Sequence, residues 1–216
     1  MQNQKATMNK NAVIFDFDGT LADSFDTSHR VMNVLAKKYR FKSIDSDDLK
    51  RLKELPLTKI LSDLGIAPYK IPLVMAAGKK LLKDQVDSIP LHQGVSALLA
   101  QLSQHYSLGI VTTNGAQVIK AFQQRHNLVP MDFIYSDIRL SGKGRTLKQA
   151  LKKQKIKRAL YVGDEIRDIQ AARKAGIAVV AVCWGYNSKQ ALAAYEPDYL
   201  VESCAELERV IGAYFG

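Results

Sequence analysis

Five short apolar runs constrain this chain more than anything else in it. Ala12 to Phe15, Leu108 to Val111, Phe133 to Tyr135, Ala159 to Val162 and Ile177 to Val182 are rich in Val and Ile and bounded by Gly, Asn or Asp, the pattern of buried strands. Helical spacing fills the gaps between the later runs. Val95, Leu98, Leu99 and Leu102 recur through Val95 to His105, and Gln117 to His126, Thr146 to Gln154 and Asp168 to Ala175 follow, with Gly176 as a natural stop. Strand alternating with helix predicts an α/β fold, a parallel sheet covered on both faces. Asp198 to Val201 is expected to add an edge strand, and Ser203 with Glu206 forms a capping-box pattern for a last helix.

Residues 22 to 90 break this rhythm. They hold helical patterns at His29 to Tyr39, Asp47 to Leu55, Leu57 to Leu64 and Pro72 to Val86, jointed by Pro56, Gly65, Pro68, Pro72 and Pro90, with no β run. A helical insertion between the first and second strands is the economical reading.

Chemistry-bearing residues sit at the strand ends. Val13-Ile14-Phe15 runs into Asp16 and Asp18, whose i, i+2 spacing puts both carboxylates on one side of an extended chain, and Gly19 permits a turn there. Ligands of open parallel sheets gather at these carboxyl ends. Two adjacent carboxylates repel unless a proton or cation joins them, which points to a hard divalent ion such as Mg²⁺. The second strand ends in Thr112-Thr113-Asn114, hydroxyls before a helix, suited to phosphate oxygens. Ser141-Gly142-Lys143-Gly144-Arg145 follows the third strand and offers a cation, either Lys143 or Arg145. The fourth ends in Gly163-Asp164-Glu165-Ile166-Arg167-Asp168. Singly, each is also an ordinary turn, N-cap, loop lysine or acidic helix start. Their joint occurrence at four successive strand ends is not explained that way.

These four ordered motifs, together with Asp23-Ser24 and Cys183-Trp184-Gly185-Tyr186, resemble those of the haloacid dehalogenase-like hydrolases, in the phosphoglycolate phosphatase-like branch. The resemblance implies a Rossmann-like core over residues 1–21 and 91–216 and a small helical cap domain over 22–90. It implies a Mg²⁺-dependent phosphatase acting on a small phosphorylated metabolite through an aspartyl-phosphate. Asp16 is then the nucleophile and Asp18 the general acid and base, its backbone carbonyl also binding the metal. Thr112, with the amides of Thr113 and Asn114, and Lys143 hold the phosphate. Asp164 completes a metal set with Asp16 and Asp18, and Asp168 and Glu165 support it. Family members commonly have a proline after the lysine, where this chain has Gly144. Alternatives within the fold are a phosphomutase, or a phosphonate hydrolase needing a cap lysine such as Lys37, Lys38 or Lys53. Leaving-group choice is expected in the cap, where Arg51, Lys53 and Glu54 precede the Leu55-Pro56 turn.

Composition bounds the partners. Of the 216 residues 47% are apolar and 24% charged, enough to bury a core. The net charge of +10 is concentrated in Arg139 to Arg158, nine Lys/Arg with no acid. That stretch is either a solvated helix face or an anion-binding surface. It carries no aromatic residue for base stacking, so nucleic acid is not the expected partner, and a non-enzymatic basic binding module is the lesser alternative. Cys183, in an apolar run, reads as a buried small hydrophobe, and neither it nor Cys204 has metal-binding spacing. The polar opening lacks a signal-peptide apolar region and the longest apolar stretch is too short for a span, so a cytoplasmic monomer or homodimer without membrane contact is expected.

Overall fold

The computed structural model describes residues 11–137 and 142–216. Its sheet has six strands, β1 (Asn11–Phe15), β2 (Ser107–Thr112), β3 (Phe133–Ser136), β4 (Arg158–Gly163), β5 (Ala178–Val182) and β6 (Tyr199–Val201), in the order β3-β2-β1-β4-β5-β6. Every pairing is parallel. Strand order reverses between β1 and β4, so a crevice opens at their carboxyl ends.

Four helices come between β1 and the helix that leads into β2: α1 (Phe25–Tyr39), α2 (Ser46–Leu52), α3 (Leu57–Asp63) and α4 (Ile71–Lys83). Then follow α5 (Val95–Leu102), α6 (Ala116–Arg125), α7 (Lys143–Gln154), α8 (Ile166–Ala175), α9 (Lys189–Ala193) and α10 (Cys204–Phe215). The sheet is clothed on both faces. One apolar cluster joins Val13, Phe15 and Val162 to α5, α6 and α10, and the other joins Ala12, Ile14 and Tyr161 to α7 and α8. Alternate residues of β1 thus feed opposite clusters, as the period-2 geometry of a strand requires. Helices α1 to α4 close on a third cluster, with Val31, Leu35, Leu52, Leu61 and Val74 at its centre.

Among the described residues no single helix is long and apolar enough to cross a membrane. One bent pair, Leu57–Asp63 with Pro68–Lys83, passes by length and composition, but it turns through 114° and gives its apolar residues to the third cluster.

The element readings hold, with informative differences. Gly176 terminates α8 in the left-handed region at φ 78°. Helix α7 starts at Lys143, before Thr146, so the lysine sits in its first turn. Helix α9 has too few residues for a visible period. Ser203 caps α10 by accepting the Glu206 amide, but the Glu206 carboxylate takes the Glu202 amide instead of reaching back to Ser203, so the capping box is one-sided. Cys183 is only half-buried. Residues 1–10 and 138–141, with Met8, Arg139 and Ser141, lie outside the described residues.

Gly109 in β2 is set by its neighbour. A Cβ there would lie 2.1 Å from the Phe133 ring on β3. We expect Gly109→Ala to lower the unfolding free energy by about 1–3 kcal/mol through overpacking. In denaturant titrations most of that loss should vanish in a Phe133→Ala background, because the two changes share one space.

Candidate active site

Asp16 follows β1 directly and is held from both flanks. Its amide donates to the Val162 carbonyl of β4 at 2.8 Å. One carboxylate oxygen accepts from the Lys143 ammonium at 2.6 Å, and the same ammonium donates to Asp168 at 2.6 Å. All three side chains are buried. Asp168 in turn accepts the amides of Asp164 and Glu165 through its other oxygen, at 3.2 and 3.0 Å. One aspartate on α8 therefore orients both the lysine and the turn that carries Asp164.

Lys143 lies in the first turn of α7, while Arg145, two residues on, is exposed. Of the two cations that the motif offers, Lys143 is the one beside Asp16. Burial opposes its charge, but the Asp16 and Asp168 carboxylates outweigh that and hold its pKa above the ordinary value.

Asp164 follows β4 and is fully buried. Its oxygens accept from the Thr20 hydroxyl at 2.6 Å and the Tyr186 amide at 2.8 Å. The chain makes room for it with glycine. A Cβ on Gly19 would lie 2.1 Å from an Asp164 oxygen, and one on Gly185 2.3 Å away. Gly19 also has φ 74°, the left-handed region open to glycine.

Asp18 stands past the strand end, where alternation no longer governs direction. Its carboxylate takes the Asn114 side-chain amide at 2.6 Å and the Ser24 hydroxyl at 3.1 Å. Ser24 is bonded to the Tyr186 hydroxyl at 3.1 Å and Tyr186 to Ser28 at 2.5 Å. A chain of hydroxyls thus runs from α1 through the loop after β5 to Asp18. Thr112, Thr113 and Asn114 are buried at the end of β2. The Asn114 backbone amide donates to the Thr112 hydroxyl at 3.2 Å. Glu165 is engaged by Arg167. It also belongs to a reciprocal cap with Asp168 at the start of α8.

Three carboxylates, those of Asp16, Asp164 and Asp168, present oxygens within 4.8 Å of one another. The Asp18 carboxylate is not in that cluster. All three carboxylates of the cluster already accept hydrogen bonds, and Asp16 and Asp164 are the two that stand directly at strand ends, after β1 and β4. Their hard oxygen donors suit Mg²⁺. Charge balance agrees. Five carboxylates (Asp16, Asp18, Asp164, Glu165 and Asp168) meet the two cations Lys143 and Arg167, and the surplus shows in the titration. Burial, only partly offset by Lys143, raises Asp16 to about 6. Burial and then Asp16 raise Asp18 to about 6. Burial and the neighbouring Glu165, Asp168 and Asp16 push Asp164 well above the usual range. A divalent cation would relieve these penalties.

Tyr186, Asn187 and Ser188 were not singled out as functional from the sequence. Asn187 is buried, accepts the Ile166 amide at 2.9 Å, and donates to the carbonyls of Lys53 and Leu55 at 2.9 and 3.0 Å. The Ser188 amide donates to the same Lys53 carbonyl at 2.9 Å. The turn between α2 and α3 is thereby tied to the start of α8. Lys53 and Leu55 line the same cavity as Asp18, whereas Arg51 is paired with Asp63 at 2.6 Å. The only signal for Asn187 was its place just after Cys183-Trp184-Gly185-Tyr186.

An open parallel sheet with carboxylates, a buried lysine and hydroxyls at its switch point defines a hydrolase of the α/β class that handles phosphate. The profile of the haloacid dehalogenase-like hydrolases matches residues 13–182. A phosphoglycolate phosphatase from Synechococcus elongatus is 36% identical over 204 residues, covering 93% of this chain and 96% of that protein. The pyrophosphatase PpaX of Bacillus cereus is 27% identical over 214 residues, covering 93% and 95%. A haloacid dehalogenase-like family hydrolase from Streptococcus pneumoniae superposes with TM-score 0.75 at 26% identity, over 95% of this chain and 98% of that one. The chain belongs to the haloacid dehalogenase-like hydrolases, in the phosphoglycolate phosphatase-like branch, and is a phosphatase.

The titration gives a stability prediction. Asp16 and Asp18, raised from 3.8 to about 6, hold extra protons in the folded state between those values, so their contribution to stability is lost as pH rises through about 6. In thermal melts with chelator the protein should be less stable at pH 7 than at pH 5. Added Mg²⁺ should raise the midpoint more at pH 7, where it does not compete with protons. Equal Mg²⁺ effects at both pH values would contradict this.

Proposed function

We propose that this phosphatase is Mg²⁺-dependent and hydrolyses the phosphate monoester of a small metabolite through a phosphoryl group carried on Asp16. The observation that supports it most is the 2.6 Å pairing of a buried lysine with Asp16 at the switch point of the sheet. A carboxylate attacks a dianionic phosphate only if charge on both is screened.

The oxygen of Asp16 not held by Lys143 attacks phosphorus, and the ester P–O bond breaks. Asp18 gives its proton to the departing oxygen. With Asp18 now a carboxylate, it takes a proton from water, whose oxygen attacks the same phosphorus and breaks the Asp16–phosphorus linkage, releasing inorganic phosphate. Lys143 offsets phosphate charge throughout, and the hydroxyls of Thr112 and Thr113 orient the equatorial oxygens. Mg²⁺, held by Asp16 and Asp164 with the Asp18 carbonyl, would supply further charge neutralisation.

Asn114 and Ser24 keep Asp18 in place and favour its charged form, while burial and Asp16 favour the protonated one. A pKa of about 6 suits a group that must donate and then accept a proton near neutral pH. We assign residues 22–90 the role of a cap over this site, tied down by Asn187.

The test is phosphate release from a panel of monoesters that includes 2-phosphoglycolate, with pyrophosphate alongside. Asp16→Asn should abolish turnover, Asp18→Asn should lower kcat by about 10²–10⁴-fold, and chelator should silence the enzyme until Mg²⁺ is restored. Undiminished release by Asp16→Asn, or in chelator, would refute the proposal.

A further inference from the structure

Asn187 stands where three separate parts of the chain meet, and its side chain bonds only to backbone. The side-chain oxygen accepts the Ile166 amide at 2.9 Å, in the first turn of α8. The side-chain nitrogen donates to the carbonyls of Lys53 and Leu55 at 2.9 and 3.0 Å, between α2 and α3. A carboxamide offers two N–H donors and a carbonyl acceptor, so every group it has is engaged. The residue is 4% exposed. In such a place a donor or acceptor left without its partner costs more than a made bond contributes.

The backbone beside it serves the same two parties. The Asn187 amide donates to the Asp164 carbonyl at 3.3 Å, and the Ser188 amide to the Lys53 carbonyl at 2.9 Å. One residue earlier, the Tyr186 amide donates to the Asp164 carboxylate at 2.8 Å. The Tyr186 hydroxyl is bonded to Ser24 and Ser28 at the start of α1. Residues 185–188 therefore hold Asp164 on one side and the inserted helices, at two places, on the other. The carboxamide can sit only one way round. Its N–H groups must face the two carbonyls, and its oxygen must face the first amides of α8.

We infer that Asn187 is a positioning residue whose carboxamide seats the α2–α3 turn and sets the turn carrying Asp164 together, so that neither moves without the other. The helices of residues 22–90 thereby act on the chemistry through Asp164, by contacts within the chain. The inference goes beyond the phosphatase reading and does not depend on which ester is cleaved.

The test is amide hydrogen exchange, followed by NMR on the full-length protein without substrate. Asn187→Asp keeps the acceptor for Ile166, favoured at a helix N-terminus, and turns an oxygen toward the Lys53 and Leu55 carbonyls. It severs the α2–α3 side alone. The Ser188 amide should then exchange at least about tenfold faster, and the Tyr186 amide, bonded to Asp164, should quicken with it. Amides of β1 should keep their rates, which shows that the sheet is folded. With p-nitrophenyl phosphate the kcat of this variant should fall about tenfold or more at nearly constant KM, because Thr112 and Lys143 are untouched. In the unmodified protein, a urea series below the unfolding transition should bring the Ser188 and Tyr186 amides onto one opening event, a measurement that needs no variant. Unchanged Ser188 exchange in Asn187→Asp, or an unchanged kcat when both amides quicken, overturns the inference. So does separate opening of Ser188 and Tyr186 in either protein.

Discussion

The buried ammonium of Lys143, shared between Asp16 and Asp168, is the interaction on which the rest of the site depends. A lysine withdrawn from water is costly unless paired, and so is each carboxylate beside it. Here they satisfy one another, and the geometry is fixed by three separate elements, β1, α7 and α8. Because Asp168 also binds the amides of Asp164 and Glu165, the same contact sets the turn after β4. Pairing of this kind is weak support for stability. Its value is that Asp16 stays ionisable in a buried place, facing a site that still carries an excess of negative charge.

Much of this was legible from residue order because parallel sheets place ligand-facing residues at strand ends. The run Val13-Ile14-Phe15 located Asp16, and the run before Gly163 located Asp164. Gly176 marked the end of α8 because only a residue tolerant of positive φ stops a helix that way. Less could be read where contacts join distant parts of the chain. The Ser28–Tyr186–Ser24–Asp18 chain spans loops whose approach depends on the whole fold. Asn187, reaching back to Lys53 and Leu55, has no local pattern at all. Lys143 was the expected cation, with Arg145 as its competitor; α7 begins at Lys143, which turns the lysine inward and the arginine to water.

The basic stretch resolves along the same helix. In α7, Lys143, Thr146, Leu147 and Ala150 are buried while Arg145, Lys148, Lys152 and Lys153 are exposed. Among the described residues, Lys143 serves the site and the other cations of the run face solvent, where they contribute a favourable field for an anionic substrate. The helices between β1 and α5 add what the sheet lacks, a cavity beside Asp18, connected to the core through Asn187.

The central claim is that Asp16 carries the phosphoryl group. Acid-quenched turnover followed by mass spectrometry of the digested protein tests it most directly. The account predicts that the peptide containing Asp16 gains the mass of one phosphoryl group, that hydroxylamine removes it, and that it accumulates when Asp18 is replaced by Asn. Steady phosphate release with no such adduct, in either protein under rapid quenching, would contradict it.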